Sequence, residues 1–153
     1  MKKIMIQDLK PGLVNGVEVQ ISSDKDAYKE TYFEWTATPL VSKIAVSEVS
    51  GGVLKAWHHA PVFSEIETHI DSEMFFFISG VALMLFMDAE NGKPCMDTAQ
   101  VVRIQPGTQI VIKAGKGHFV PVAEGSEPVC AVVAAPGMDA PRMSLAEAVE
   151  GIK

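Results

Sequence analysis

Cysteine is scarce in this chain of 153 residues: only Cys95 and Cys130 occur. They form neither a CxxC spacing nor the pattern of a secreted disulfide scaffold, so no such scaffold is expected and neither thiol is assigned a catalytic part. Basic residues are also in deficit, with 13 Lys and Arg against 19 Asp and Glu and a formal charge of −6. No Lys/Arg cluster offers the patch that phosphate backbones require, which disfavours a nucleic-acid partner and leaves a small metabolite or another protein. Long hydrophobic runs are missing too. The longest, "MFFFISGVALMLFM", has 14 residues and is broken by Ser79-Gly80, which is too short for a bilayer span, so no membrane partner is expected. The start, "MKKIMIQDLKPG", lacks the apolar region of a signal peptide, and a cytoplasmic location is expected. Internal repeats and low-complexity linkers are absent. With 48% apolar and 21% charged residues, the chain reads as a single globular domain over 1–153.

What is present is a series of strand signals. "LVSKIAVSEV" (40–49), "GVLKAWHHA" (52–60), "MFFFIS", "VALMLFM", "AQVVRI", "TQIVIKA", "HFVPVA" and "PVCAVVAA" are short apolar or alternating runs. Turn dipeptides separate them, with Asn91-Gly92 the strongest. Short strands spaced in this way predict an all-β sandwich or barrel. One helix is expected, at "MSLAEAVEGIK", where Ser144 and Glu147 form a capping box and Leu145, Ala148 and Val149 an apolar stripe. Residues 22–38 are polar, then aromatic, and are expected to be a loop or arm.

Two polar knots interrupt this apolar background. In "ETHIDSEMFFFISG" (67–80), Glu67 and His69 sit at i and i+2, so in a strand they face the same side, and Glu65 can join them. Glu73 follows four residues after His69, and Phe75 and Phe77 share its face. The second knot is "GTQIVIKAGKGH" (107–118), with Lys113, Lys116 and His118 around two glycines. His58 and His59 are adjacent, so alternation sends them to opposite faces. At most one can enter a barrel, and His58 shares a face with Leu54 and Ala56.

These knots resemble the two motifs of the cupins, G-x5-HxH-x3,4-E-x6-G and G-x5-PxG-x2-H-x3-N. Here the spacing reads Glu67-x-His69-x3-Glu73-x6-Gly80, then Gly107-x5-Lys113-x-Gly115-x2-His118. Glu replaces the first His, Lys replaces Pro, Val122 stands at the closing Asn and Pro61 at the opening Gly. The resemblance implies a cupin double-stranded β-helix (a jelly-roll barrel) carrying the short C-terminal helix, and a homodimer by analogy. It also implies a divalent metal held by Glu67, His69, Glu73 and His118, without an organic cofactor. Two imidazoles with two carboxylates suit Mn, Fe, Ni or Zn over Cu.

The "EIETH" segment before a glycine-ended apolar strand is similar to that of the ureidoglycolate lyase (ureidoglycolate hydrolase) family, over roughly residues 52–123. That resemblance implies release of urea from ureidoglycolate to leave glyoxylate, a step of allantoin and purine breakdown. Glu67, His69 and His118 would be the catalytic acid–base groups. Glu73, Phe75, Phe77 and His58 would line the substrate site. Lys113 is the first candidate cation for the substrate carboxylate, with Lys116 and Arg103 behind it, although lysine lacks the bidentate fork of arginine. Two alternatives stand beside this reading. One is a metal-dependent cupin of another class, a sugar or keto-acid isomerase or a dioxygenase. The other is a small-molecule-binding cupin that catalyses nothing.

Overall fold

A computed structural model of the chain describes residues 1–22, 27–35, 40–45, 48–137 and 140–153. With strands numbered β1–β17 in chain order, two sheets make up the body. The first runs β1 (Lys2–Met5), β17 (Arg142–Ile152), β7 (Val62–Glu67), β14 (Gly117–His118), β9 (Ala82–Met87), β12 (Gln100–Ile104) and β2 (Gln7–Asp8), with β15 (Val122–Ala123) also on β9. The second runs β3 (Val17–Ile21), β13 (Thr108–Ile112), β8 (Glu73–Ser79), β16 (Val129–Ala135) and β6 (Ser50–Ala56). Two small hairpins, β4 (Tyr28–Lys29) with β5 (Glu34–Trp35) and β10 (Ala89–Glu90) with β11 (Lys93–Pro94), stand apart. Most pairings are antiparallel, β1 on β17 and β2 on β12 being the parallel exceptions within the sheets.

Side-chain alternation explains how the layers close. In β8, Phe75 and Phe77 point inward, and in β13 Ile110 and Ile112 do the same. They meet Met84 and Phe86 of β9 and Val102 and Ile104 of β12 from the other sheet. Each such side chain withdrawn from water contributes about 1.5–3 kcal/mol. Strand β9 is buried at every position, because Leu83, Leu85 and Met87 on its far face join a second cluster with Phe63, Ile66 and Val149. A strand covered on both faces reads as a continuous apolar run, which is why "VALMLFM" shows no alternation.

The turns follow their residue chemistry. Asn91 (φ 51°) and Gly92 (φ 72°) form the expected two-residue hairpin between β10 and β11. Gly80 has φ 70°, and a Cβ there would lie 2.4 Å from the Pro128 carbonyl oxygen, so conformation and space both demand glycine at this motif position.

Three expectations are corrected. The C-terminal "MSLAEAVEGIK" is not a helix but lies within β17, which pairs with β7 on one side and β1 on the other. Between the pairs Ser144↔Glu65 and Val149↔Phe63, residues 145–148 face the single residue Ser64 as a wide bulge. Two flanking strands and a fully buried Val149 outweigh a local capping signal. The segment 40–49 is not a strand at 40–45 or 48–49, where Val41 and Val49 are exposed without a packing partner face, and 46–47 lie outside the described residues. In the expected arm over 22–38, the hairpin β4–β5 forms, while 23–26 and 36–38 lie outside the described residues. No helix among the described residues is long and apolar enough to cross a membrane.

Candidate functional site

The two polar knots meet through sheet pairing. Glu67 ends β7 and its register partner across the ladder is His118 of β14, so the pairing alone brings the motifs together. His69 lies in the connection after β7, where its carbonyl accepts a hydrogen bond from Gly115 N–H at 2.9 Å and so fixes the later loop against the earlier one. Glu73 opens β8 on the second sheet and faces back across the barrel. The neighbouring Gly117 has room for no side chain, since a Cβ would come within 2.5 Å of Ile66 Cδ1. That close approach lets His118 enter the interior, where it is 1% exposed.

Within this cluster Glu73 Oε2 lies 2.7 Å from His118 Nε2 and 3.3 Å from His69 Nε2. The two imidazoles stack with centroids 5.4 Å apart, and Phe75 meets the His118 ring edge-on at 6.3 Å. One ligand atom from each of Glu67, His69 and His118 lies within 4.8 Å of the other two. Despite the short separations, His69 Nε2, Glu73 Oε2 and His118 Nε2 are buried without an aligned hydrogen bond. A separation of 2.7 Å without alignment is proximity and not a hydrogen bond. Each unsatisfied buried polar atom costs about 1–3 kcal/mol, and a single cation shared among them would satisfy all three.

The tautomer of His118 supports the same conclusion. Its Nδ1 lies 3.0 Å from the Lys116 carbonyl oxygen, which can only accept. Nδ1 therefore carries the proton, and in the neutral ring Nε2 presents its lone pair to the cluster. The donor atoms of Glu67, His69 and His118 would thus fit a divalent first-row metal, with the Glu73 carboxylate beside both imidazoles.

The cluster forms the floor of a cavity of about 260 Å³. Its walls are mostly apolar, from Leu54, Phe75, Val120 and Val133, and the cation on its lining is Arg142. Arg142 is the register partner of Glu67 on the β17 side, and its guanidinium lies 3.2 Å from Glu65 and 5.2 Å from the centre of the Phe119 ring.

The structure places Glu67, His69, Glu73, His118 and Phe75 around one cavity. Other expected residues stand elsewhere. Phe77 is fully buried in the core one layer deeper, stacked on Phe75. His58 holds the Ala123 carbonyl through Nδ1 at 2.9 Å and is not on the cavity lining. Lys113 lies just beyond β13 and reaches outward to Glu18 at 3.0 Å, while Lys116 is buried against Asp88 at 2.7 Å. Arg103 is engaged by Glu124 and Asp8 at the β2–β12 edge. Arg142, just before the expected helix, was not singled out in the sequence, because only its pairing with Glu67 brings it to the cavity.

No protein-family model matches the chain, and no curated protein matches it in sequence. Among solved structures it is similar to a variant of ChmJ, a 3′-monoepimerase from Streptomyces bikiniensis in complex with dTDP. The TM-score is 0.57 at 16% identity, over 89% of this chain and 72% of that one. RmlC from Streptococcus suis in complex with dTDP-D-xylose gives 0.53 at 10% identity, over 88% and 71%. These are cupin-type proteins. The chain has the cupin fold. A variant of Bacillus subtilis oxalate decarboxylase also matches, at a TM-score of 0.46 and 20% identity, over 63% of this chain and 24% of that one.

Proposed function

We propose that this cupin is a metal-dependent enzyme acting on a small polar acid, and that elimination of urea from ureidoglycolate is the reaction to test first. The observation that carries the reading is the set of three buried, unpartnered ligand atoms at the floor of a small cavity. Three such atoms converging at one point call for a shared partner, and a metal ion would be one. A bound divalent ion would supply a Lewis acid that polarises a substrate oxygen.

The chain's own residues provide the remainder. Glu67 is half-buried on the cavity lining, so a carboxylate oxygen that a metal would leave free can take the hydroxyl proton of a hemiaminal carbon and deliver it to the urea nitrogen as the C–N bond breaks. The Lys116 carbonyl holds His118 in one orientation through Nδ1, and Phe75 packs against its ring. Leu54, Val120 and Val133 exclude water from the reacting carbon.

A second reading is isomerisation or epimerisation of a small keto acid or sugar, favoured by the epimerase named among the similar structures. A dTDP-sugar itself suits the site poorly. Two phosphates call for several cations, and the lining contributes Arg142 alone. A binding protein without chemistry is disfavoured by Glu67, His69 and His118 in mutual reach, with Glu73 against both imidazoles.

Metal content and glyoxylate release, measured on the same sample before and after chelation, test the proposal. Stoichiometric metal with chelator-sensitive release of glyoxylate, lost in His118→Ala, supports the lyase reading. Stoichiometric metal without glyoxylate release directs the search to the isomerase reading, and a metal-free protein with full turnover refutes both metal-dependent readings.

A further inference from the structure

We infer that Arg142 is the carboxylate receptor of the cavity, and that the site selects small monoanionic acids over their neutral analogues. The inference rests on reading the cavity as the substrate site and names what the substrate must carry. Four observations support it. Arg142 is on the same lining as Glu67, His69, Glu73 and His118. Its backbone place beside Glu67 is fixed by strand pairing and does not depend on a loop.

The side chain is also held ready and not consumed. Nη1 donates to Glu65 Oε1 at 3.2 Å, a long and singly bonded contact, and the Phe119 ring lies under the planar group. Its remaining donors have no partner among the described residues, and 60% of the side chain is exposed. A guanidinium presents parallel N–H pairs that match a carboxylate, which the alternatives Lys113 and Lys116 lack, and those lysines are occupied by Glu18 and Asp88.

Finally, the chemistry of the rest of the lining limits what can bind. The other titratable groups that face the cavity are carboxylates and imidazoles, and the remaining walls are apolar. One arginine fork matches one carboxylate. A substrate anchored there presents the atoms attached to its carboxylate-bearing carbon to the Glu67–His69–Glu73–His118 cluster. Glu65 is then a competitor for the guanidinium, released when the acid enters.

The test titrates glycolate and glycolamide, equal in size but charged and neutral, into the full chain by calorimetry, with and without saturating Zn(II). Wild type is expected to favour glycolate by about 10- to 100-fold, the worth of a charge-assisted pair. Arg142→Gln is expected to bring that ratio near unity with zinc affinity and thermal midpoint unchanged, while Arg142→Lys restores part of it. Glu65→Gln, which removes the competitor, is expected to tighten glycolate and leave glycolamide unmoved. A glycolate preference that survives Arg142→Gln in zinc-loaded protein overturns the inference and leaves the metal reading intact. If wild type fails to bind zinc, the metal reading fails. The zinc-free titrations then decide the arginine alone: a ratio changed by Arg142→Gln supports it, and an unchanged ratio overturns it.

Discussion

Replacing Gly117 by alanine joins the packing of the fold to the geometry of the site. A Cβ at this position would come 2.5 Å from Ile66 Cδ1 and 3.0 Å from the Met87 carbonyl oxygen. Ile66 is fully buried in the second apolar cluster and the Met87 oxygen belongs to the adjacent strand, so neither neighbour yields freely. Overpacking of this kind costs about 1–3 kcal/mol. In a domain of this size each kcal/mol moves the melting point by about 2–4 °C, so Gly117→Ala is expected to melt roughly 2–12 °C lower. Ile66→Val removes the Cδ1 atom and alone costs about 0.5–1.5 kcal/mol. Combined with Gly117→Ala it also removes the closest clash, so the double variant is expected to be more stable than the sum of the single losses, with coupling of about 0.5–3 kcal/mol. Urea denaturation of the four proteins measures the cycle. Losses that add within about 0.5 kcal/mol would show that Ile66 does not set the glycine requirement, and the account of how His118 is admitted to the interior would fall with it.

Two further outcomes are expected. Arg103 donates Nε and Nη2 to the two oxygens of Glu124 at 2.7 and 2.8 Å, and this pairing holds the Glu124 carboxyl below its ordinary value of 4.5. A lowered carboxyl stabilises the fold above its unfolded pKa and loses that contribution as pH falls through the folded one. Arg103→Gln should therefore be less stable than wild type at neutral pH, with the gap closing as pH falls below the ordinary carboxyl value of 4.5; a gap independent of pH refutes the assignment. On the outer face of the second sheet, Val53, Val132 and Phe76 are register partners in one exposed row, with Ile78 beside them. We propose that a second copy of the chain pairs on this face to make a homodimer, in which case Phe76→Lys should shift sedimentation from dimer to monomer; a monomeric wild type contradicts the proposal.

The fold was legible because its punctuation is chemical. Gly80 and Gly107 have φ of 70° and 80°, and the motif spacing marked both positions without any knowledge of the sheet. The same motif order singled out Glu67, His69, Glu73 and His118, which the structure brings to one cavity from two sheets and a connection. What escaped depended on pairing between distant segments. Ser144 and Glu147 form a fair helix start on their own, yet the chain there is held between β1 and β7, and Glu147 instead meets the N-terminal amine at 2.8 Å. The register Arg142↔Glu67 joins residues 75 apart in sequence, and no local pattern signals it. Lys113 was misplaced for the opposite reason: one residue past the end of β13, it turns outward to Glu18.

The central claim is that Glu67, His69, Glu73 and His118 form one metal centre. Thermal unfolding of chelator-treated protein, with and without Mn(II) or Zn(II) at about a hundred times the dissociation constant, tests it directly. Linkage at that excess is worth about 2.7 kcal/mol. A rise in melting point of roughly 5–11 °C is expected for wild type, and none for His118→Ala. An unshifted wild type, or an equal shift in His118→Ala, would contradict the assignment.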